Sequence, residues 1–382
     1  MGRENIIRTP LYEEHIKLGA KMVDFHGFEL PISYSSIQDE HLSTRTSCGI
    51  FDVSHMGFFR FTGIDVKAWL NQITTQDISN FKVGTCGYTH FLDENGFIID
   101  DMIFAIKSEN EILGVPNASM IGPMKSWLKS QISSDNQIKI VDESSHTSII
   151  AIQGPKSPDV ISKILGKNNA VNRFRCQELS SNDLGISGWI QGTGYTGERG
   201  FEIFLNSNDA CKLWRTVIEL SEIVTKPVGL GARDTLRLEK GYLLSGQDFI
   251  WPGLKNNQSE KLPTNFLHRN TIETSVPFGL NLNHDFIGKE ETVKFLKSSS
   301  RLIGIICEEK GPSPRPGHAV FDGKSLDGNL IGYVTSGAPS PSLNNSGIAM
   351  AYIEKSENLK EVWIQSSKKR RIQCRITKTP FL

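Results

Sequence analysis

The chain has 382 residues, of which 38% are hydrophobic and 22% charged, so wholesale disorder is excluded and roughly two or three folded domains are expected. Lysine plus arginine and aspartate plus glutamate both number 42, which argues against a protein dedicated to nucleic acid or a membrane surface. No apolar stretch approaches the roughly 18 residues that cross a bilayer, and no apolar signal core is present at the start. Six scattered cysteines, with no C-x-x-C pair, fit free thiols in the cytoplasm better than a disulfide scaffold or a zinc site.

Predicted helices and strands alternate through the first two thirds of the chain, and no internal repeat is visible. Thr9-Pro10 predicts a helix start, with Thr9 as the N-cap and a stop at Gly19. Apolar spacing predicts further helices at 37–46, 66–72, 123–132, 154–166, 208–225, within 229–244 and at 288–296. Strands are predicted at 27–32, 58–61, 112–115, 148–152 and 201–205.

Residues 85–104 predict a β-hairpin. Asn95-Gly96 supplies two turn positions that tolerate positive φ, and an apolar run follows at 97–104. Asp100 and Asp101 lie inside this run, on opposite strand faces that are otherwise apolar. Because a buried carboxylate is costly without a partner, at least one of these acids is expected to meet a polar group. The alternative is a hairpin that carries a charge near a sheet edge.

A glycine-rich segment at 194–202 is a candidate ligand loop. Its three glycines let backbone approach a ligand closely, and Glu202 then falls inside a strand beside Phe201 and Ile203. The alternative is an ordinary glycine turn with Glu202 on a solvated sheet face.

A second glycine-rich segment begins at Gly229. The pattern Gly229-x-Gly231 lacks the third glycine of a dinucleotide fingerprint, so a Rossmann site is rejected. Arg233 falls in the first turn of the predicted helix, where a cation opposes the helix dipole, so it is expected to meet an anion or an acceptor. Arg237 lies on the same face. The alternative is surface pairing of these arginines with neighbouring acids, Asp234 or Glu239, worth about 0.3–0.5 kcal/mol.

The last third of the chain differs from the rest in its predicted secondary structure. Residues 251–270 are polar and irregular and predict a loop or lid, and 298–300 predict a linker. Six short β-rich segments then predict a small barrel or sandwich: 303–307, 319–321, 330–335, 348–353, 362–365 and 372–376.

The sequence contains no nucleophile elbow, phosphate-binding loop or metal cluster, so nucleophilic and metal mechanisms have no support. His55 stands alone, and a lone histidine is more often structural than catalytic. The carboxylates, arginine and tyrosines that remain suit the binding of a polar heterocycle and the assistance of proton transfer.

Motifs run in order from about residue 8 to the end of the chain. They are Arg8-Thr-Pro-Leu-Tyr, Gly19-Ala-Lys-Met-Val-Asp-Phe, Phe51-Asp-Val-Ser-His-Met-Gly, Asn95-Gly-Phe-Ile-Ile-Asp-Asp, Gly194-Tyr-Thr-Gly-Glu, Gly229-Leu-Gly-Ala-Arg-Asp, Phe286-Ile-Gly-Lys-Glu, Val334-Thr-Ser-Gly and Lys378-Thr-Pro-Phe. Together they closely resemble the aminomethyltransferase (T-protein) family of the glycine cleavage system.

The resemblance implies an α+β fold, a three-lobed cloverleaf with mixed and antiparallel sheets and tetrahydrofolate in its central hole. It implies a folate-binding region at 1–297, with a second lobe of about 56–147 inserted in the first, and a small C-terminal β-barrel at 298–382. Asp101 matches the catalytic acid near N10 of the reduced folate, and Glu202 matches the residue that binds the pterin edge. The other implied folate-binding positions are Arg233, Tyr88, Tyr195, Met56 and Asn117.

The implied reaction moves a one-carbon unit from the aminomethyl-lipoyl arm of the H-protein to tetrahydrofolate, releasing ammonia and forming 5,10-methylenetetrahydrofolate. One alternative within the superfamily is a tetrahydrofolate-dependent demethylase of a small methylated compound. Another is a non-catalytic folate-binding relative. Asp101 weighs against that second alternative, because a binding module has no obvious need for an acid in an apolar strand.

Overall fold

The computed structural model describes residues 6–134, 137–254, 261–276, 278–324, 328–354, 359–367 and 370–382. Helices and strands are both abundant in these ranges. The α-helices are α1 Tyr12–Lys17, α2 Ile37–Thr46, α3 Val66–Ile73, α4 Ile121–Ser130, α5 Ser157–Ile164, α6 Ser207–Glu219, α7 Leu230–Glu239 and α8 Lys289–Phe295. None of the described helices has the length and apolar character needed to cross a membrane.

The strands fall into two groups along the chain. Those before α6 are β1 Ile7–Arg8, β2 Lys21–Phe25, β3 Phe28–Ser33, β4 Cys48–Asp52, β5 Phe59–Thr62, β6 Cys86–Leu92, β7 Ile98–Ser108, β8 Glu111–Pro116, β9 Lys139–Asp142, β10 Ser148–Gln153, β11 Cys176–Glu178, β12 Gly188–Gln191 and β13 Gly200–Leu205. Those after it are β14 Thr225–Pro227, β15 Ser300–Cys307, β16 Ala319–Phe321, β17 Leu330–Ser340, β18 Ser346–Glu354, β19 Glu361–Ser367 and β20 Arg370–Thr377.

These strands form three open sheets and one barrel. The open sheets have the orders β1-β3-β2, β11-β12-β13-β10-β4-β14 and β6-β7-β8-β5-β9. Strands β15-β18-β17-β16-β19-β20 close into a barrel, as the six short C-terminal segments predicted. Antiparallel pairs dominate, but β14 pairs in parallel with β4. The α+β class, with mixed and antiparallel sheets and a small C-terminal barrel, is therefore confirmed.

The described residues divide into two compact units. The first takes in those within Met1–Asn71, Ile78–Tyr88 and Met102–Asp234. Its largest apolar cluster lies between one face of the six-stranded sheet and helices α5 and α6. Side chains on a strand alternate between faces, and the residues of β10 and β13 that enter this cluster follow that period. They are Ile150, Ile152, Phe201, Ile203 and Leu205.

The second unit takes in the described residues within Gln72–Asp77, Thr89–Asp101 and Thr235–Leu382. Apolar side chains fill the barrel, among them Ile305, Val334, Ala349, Ile364 and Ile372. A second cluster on the outer face of β18 includes Met350 and Tyr352, together with residues of α7 and of the β6–β7 hairpin. Successive side chains of β18 therefore alternate between the barrel interior and this second apolar cluster.

A buried ion pair lies beside the barrel. Arg237 Nη1 is 2.8 Å from Asp248 Oδ2, and the two side chains are 1% and 0% exposed. The hydroxyls of Thr335 and Ser336 donate to the other carboxylate oxygen of Asp248, at 2.6 and 2.7 Å. The Val334-Thr-Ser-Gly motif thus satisfies a desolvated carboxylate, as a buried charge requires.

Several predicted boundaries are wrong. Helix α1 begins at Tyr12, and Thr9 is not its N-cap, because the Thr9 hydroxyl donates to Asp52 Oδ2 at 2.6 Å. Helix α6 ends at Glu219, and Thr225, the last residue predicted to be helical, begins β14. Ser300, predicted to lie in a linker, begins β15. The predicted loop is confirmed at 251–254 and 261–270, whereas 255–260 lie outside the described residues.

Candidate functional site

Glu202 is placed by the alternation of β13. Its neighbours Phe201 and Ile203 enter the apolar cluster under the six-stranded sheet, so Glu202 projects from the opposite face. Gln191 on β12 and Ala151 on β10 are its direct cross-strand partners. The Thr193 hydroxyl donates to Glu202 Oε2 at 2.5 Å. This charge-assisted hydrogen bond holds the carboxylate in one orientation.

Arg233 is placed by the start of α7. A Cβ atom at Gly229 would lie 2.4 Å from the carbonyl oxygen of Ile32, and one at Gly231 would lie 2.6 Å from Ile37 Cδ1. Gly229 is therefore needed for a close approach of backbone to backbone, whereas Gly231 makes room for the end of the Ile37 side chain. The buried carboxylate of Glu40 accepts the Gly229 N–H at 2.8 Å and fixes the helix start.

The Arg233 guanidinium carbon lies 4.8 Å from the centroid of the Tyr195 ring, within the range of a cation–π contact. Burial lowers the pKa of Arg233, while the charge of Glu202 and the Tyr195 hydroxyl act in the opposite direction. Arg233, Glu202 and Tyr195 therefore lie together. Arg233 contacts the Tyr195 ring and lies within the electrostatic influence of the Glu202 carboxylate, and the expectation that it pairs with an anion or an acceptor stays a prediction.

The alternative of surface pairing is wrong for Arg237. That guanidinium is fully buried with Asp248, as described above. Its position one helical turn after Arg233 therefore reflects a structural role within the second unit.

Met56 and Asn117 are brought close by a backbone contact. The Gly57 N–H donates to the carbonyl oxygen of Pro116 at 2.9 Å, and a Cβ atom at Gly57 would lie 2.5 Å from Pro116 Cγ. Glycine is therefore required where the Met56 turn meets the end of β8. Met56 directly precedes Gly57 and Asn117 directly follows Pro116, and both side chains are partly exposed.

His55 is a buried neutral histidine. It is 3% exposed and packs edge-on against Phe25 and Phe28, with ring centroids 5.5 and 6.3 Å away. Burial, followed by the positive charge of Arg233, lowers the pKa of His55 to about 3. A histidine that stays unprotonated and enclosed fits the structural role expected from the sequence.

Tyr88 lies on β6, two residues after Cys86. The Cys86 sulfur lies 4.0 Å from Gln191 Oε1, and Gln191 is the cross-strand partner of Glu202. This contact places the first residues of β6 beside the sheet face that carries Glu202. Tyr88 itself is partly exposed.

The paired acids of β7 differ in burial. Asp100 is 0% exposed, whereas Asp101 is partly exposed. Alternation along the strand explains the difference, because Met102 and Phe104 on the Asp100 face are also buried. Asp101 belongs to the second unit, and the other six predicted site residues belong to the first. All seven predicted site side chains are partly exposed, so each packs against neighbouring residues and is still reachable by a ligand from solvent.

The sequence patterns did not predict a buried hydrogen-bond network at Asp52. The Thr9 hydroxyl, His15 Nε2 and the Ser54 N–H lie 2.6, 2.9 and 2.9 Å from its carboxylate oxygens. Burial alone would raise the pKa of Asp52, but the hydrogen bonds from His15, Ser54 and Thr9 lower it. This network anchors the turn that carries Met56. The sequence signal for this network is the acid Asp52 at the end of the otherwise apolar strand β4.

Gln153 also escaped notice. It ends the apolar strand β10, directly before Gly154-Pro155, and is 1% exposed. A fully buried amide at the end of such a strand predicts a specific hydrogen-bonded role.

Comparison with known proteins covers almost the whole chain. The GCVT N-terminal domain model matches residues 11–251, and the glycine cleavage T-protein C-terminal barrel domain model matches residues 301–382. The aminomethyltransferase of Bacillus mycoides is 39% identical over 98% of this chain and 97% of its own length. That of Thermosipho melanesiensis is also 39% identical, over 98% of this chain and 96% of its own.

A solved structure agrees with these relatives. The crystal structure of glycine cleavage system aminomethyltransferase T from Bartonella henselae superposes with a TM-score of 0.81 at 28% identity, covering 99% of this chain and 98% of that one. The chain therefore belongs to the glycine cleavage T-protein family, the aminomethyltransferases.

Proposed function

We propose that this chain transfers the one-carbon unit of an aminomethyl-lipoyl H-protein to tetrahydrofolate, releasing ammonia and forming 5,10-methylenetetrahydrofolate and dihydrolipoyl protein. The observation that carries the proposal is the group formed by Glu202, Tyr195 and Arg233. A carboxylate, an aromatic ring and a guanidinium on one surface of one unit suit a flat, polar heterocycle.

The chemistry of these side chains fits a pterin. A pterin presents an exocyclic amino group and a ring N–H side by side, and one carboxylate accepts from both. Glu202 is held for this role because Thr193 binds its Oε2. The ring of Tyr195 and the planar guanidinium of Arg233 offer surfaces for stacking. Tyr88, Met56 and Asn117 would complete the contacts to the folate.

Asp101 is the proposed catalytic acid. Tetrahydrofolate supplies the amine nitrogens that receive the one-carbon unit. A partly buried carboxylate beside such an amine holds a proton or balances a developing positive charge more strongly than one in water. The apolar strand around Asp101 provides these surroundings, and its partial exposure leaves it reachable.

The division into a folate-binding region at 1–297, with a lobe of about 56–147 inserted, and a barrel at 298–382 stays a prediction. The five-stranded sheet, which runs from β5 to β9, and the barrel, from β15 to β20, support it. The scattered cysteines support the cytoplasm as the proposed location.

The test uses purified protein, aminomethyl-loaded H-protein and tetrahydrofolate, with ammonia as the readout. We expect ammonia release that requires tetrahydrofolate and is lost in Asp101→Asn. Absence of ammonia release by the wild-type chain would reject the proposal. Tetrahydrofolate-dependent methyl loss from a small methylated compound would then favour a demethylase, and folate binding without either reaction would favour a non-catalytic relative.

A further inference from the structure

The side chain of Gln153 bridges the two ends of the loop between β12 and β13. Its Nε2 donates to the carbonyl oxygens of Thr193 and Phe201, at 3.1 and 3.2 Å. Its Oε1 accepts from the hydroxyl of Thr196 at 3.0 Å. Both amide hydrogens and the amide oxygen are therefore engaged by the loop and by the start of β13, in a setting where Gln153 is 1% exposed.

Two glycines make room for this side chain. A Cβ atom at Gly194 would lie 1.9 Å from Gln153 Oε1, and one at Gly200 would lie 2.3 Å from Gln153 Cδ. Neither glycine has the positive φ that would itself require glycine. Their requirement therefore comes from the proximity of Gln153. The same two residues begin and end the Gly-Tyr-Thr-Gly-Glu-Arg-Gly segment of the sequence.

The bridged loop carries two of the proposed folate-binding groups. Tyr195 lies between Thr193 and Thr196, which both bond to Gln153, and its ring faces the Arg233 guanidinium at 4.8 Å. Glu202 directly follows Phe201, whose carbonyl oxygen accepts from Gln153, and is held by the Thr193 hydroxyl. One buried amide thus bonds to residues that flank both groups.

We propose that Gln153 is a positioning residue that fixes Tyr195 and Glu202 in the geometry needed to bind the pterin before the ligand arrives. Gln153 makes its three bonds inside the protein, so it acts through the loop and does not touch the substrate. A loop ordered in advance loses less conformational freedom on binding, and the gain appears as affinity. The ligand in this inference rests on the proposed function, whereas the ordering of the loop does not.

The central test replaces Gln153 by methionine, which has similar volume and no hydrogen-bonding amide. We expect the KM for tetrahydrofolate to rise by about tenfold or more, with kcat at saturation within about twofold, because ordering cost enters binding. In the ligand-free protein, amide hydrogen exchange should accelerate at residues 193–199 and stay unchanged in the barrel. Gln131→Met, at a partly exposed glutamine bonded to Ser130, is the matched control and should change neither readout.

The outcomes separate this inference from the proposed function. If wild-type protein fails to turn over tetrahydrofolate, the proposed function fails, and the exchange measurement still judges the loop. If Gln153→Met leaves both exchange at 193–199 and the KM unchanged, Gln153 is not a positioning residue. A fall in kcat at unchanged KM would also overturn the inference, because it would assign Gln153 to the chemical step.

A second set of variants keeps the inference testable if Gln153→Met does not fold. Gly194→Ala retains Gln153 and introduces the clash with its Oε1, so exchange at 193–199 should accelerate. In a Gln153→Ala background the added methyl group has space, and the same substitution should then do less damage. Equal effects of Gly194→Ala in the two backgrounds would show that Gln153 and the loop are not coupled.

Discussion

The guanidinium of Arg233 stands 4.8 Å from the ring centroid of Tyr195, joining the first turn of α7 to the loop before β13. Arg233 follows Tyr195 by 38 positions in the sequence. Their contact places a fixed cation and an aromatic ring beside the Glu202 carboxylate.

Replacing Tyr195 by leucine should weaken tetrahydrofolate binding. The substitution removes a cation–π partner and a stacking surface worth about 0.5–2 kcal/mol, which corresponds to about 2- to 30-fold in Kd. Tyr195→Phe keeps the ring and should retain most of the affinity. Titration calorimetry with tetrahydrofolate measures both. A leucine variant that binds as tightly as wild type would show that the ring does not contact the ligand.

Asp101→Asn should separate chemistry from binding. We expect kcat to fall by about 10²- to 10⁴-fold, the range for a group that transfers a proton, with folate affinity within a few-fold of wild type. Asp100→Asn is the matched control, since that neighbouring carboxylate is buried on the other strand face. It should lower thermal stability and spare kcat per folded molecule. Equal losses of kcat in both variants would contradict the assignment.

Arg237→Met should strongly destabilise the second unit. It leaves the Asp248 carboxylate buried without its cation, a change that typically costs about 3–5 kcal/mol. The double variant Arg237→Met/Asp248→Leu should lose less than the sum of the single variants. Chemical denaturation followed by circular dichroism measures these differences. Arg375→Met, at an ion pair in which Arg375 is 52% exposed, is the control and should stay within about 0.5 kcal/mol of wild type.

Acid should destabilise the fold in part through His90. The ring is fully buried, its Nδ1 lies 2.8 Å from the Thr271 hydroxyl, and burial lowers its pKa from 6.5 to about 3. His90 therefore binds a proton near pH 6.5 in the unfolded chain, but only near pH 3 in the folded chain. This contribution to stability is complete above pH 6.5 and is lost as the pH falls towards 3.

The measurement is the free energy of unfolding between pH 7 and 4. His90→Gln should flatten its pH dependence, because glutamine does not titrate in this range. His146→Gln, at an exposed histidine, is the control and should leave the slope unchanged. A His90→Gln variant with the wild-type slope would show that another group controls the acid response.

Local patterns predicted those elements whose signals lie within a few residues. Helix α2 was predicted over its full length, and the Ser36 side chain caps it by accepting from the Asp39 N–H. The failures depend on distant partners. The Thr9 hydroxyl binds Asp52, 43 residues away, and Thr225, the last residue of the predicted helix, lies in β14, which pairs in parallel with β4. No periodicity in a short window records such contacts.

The candidate site shows the same division. Residue types and alternation placed Glu202 in a strand and Arg233 in a first helical turn, and both positions are confirmed. Their roles toward folate came from the family resemblance and stay predictions. The role of Gln153 could not be predicted, because it depends on two glycines and three hydrogen-bond partners that follow it by 40 to 48 positions.

Closure of the C-terminal barrel has a consequence for self-association. Every strand from β15 to β20 pairs with a neighbour on both sides, so among the described residues of the barrel no strand is left as an edge strand to which another chain could add. Among the described pairings of the barrel, the shortest joins Val320 and Phe321 of β16 to Ile364 and Trp363 of β19. Thermal separation of β16 from β19 would expose two unpaired strand edges, so aggregation of the barrel should begin there.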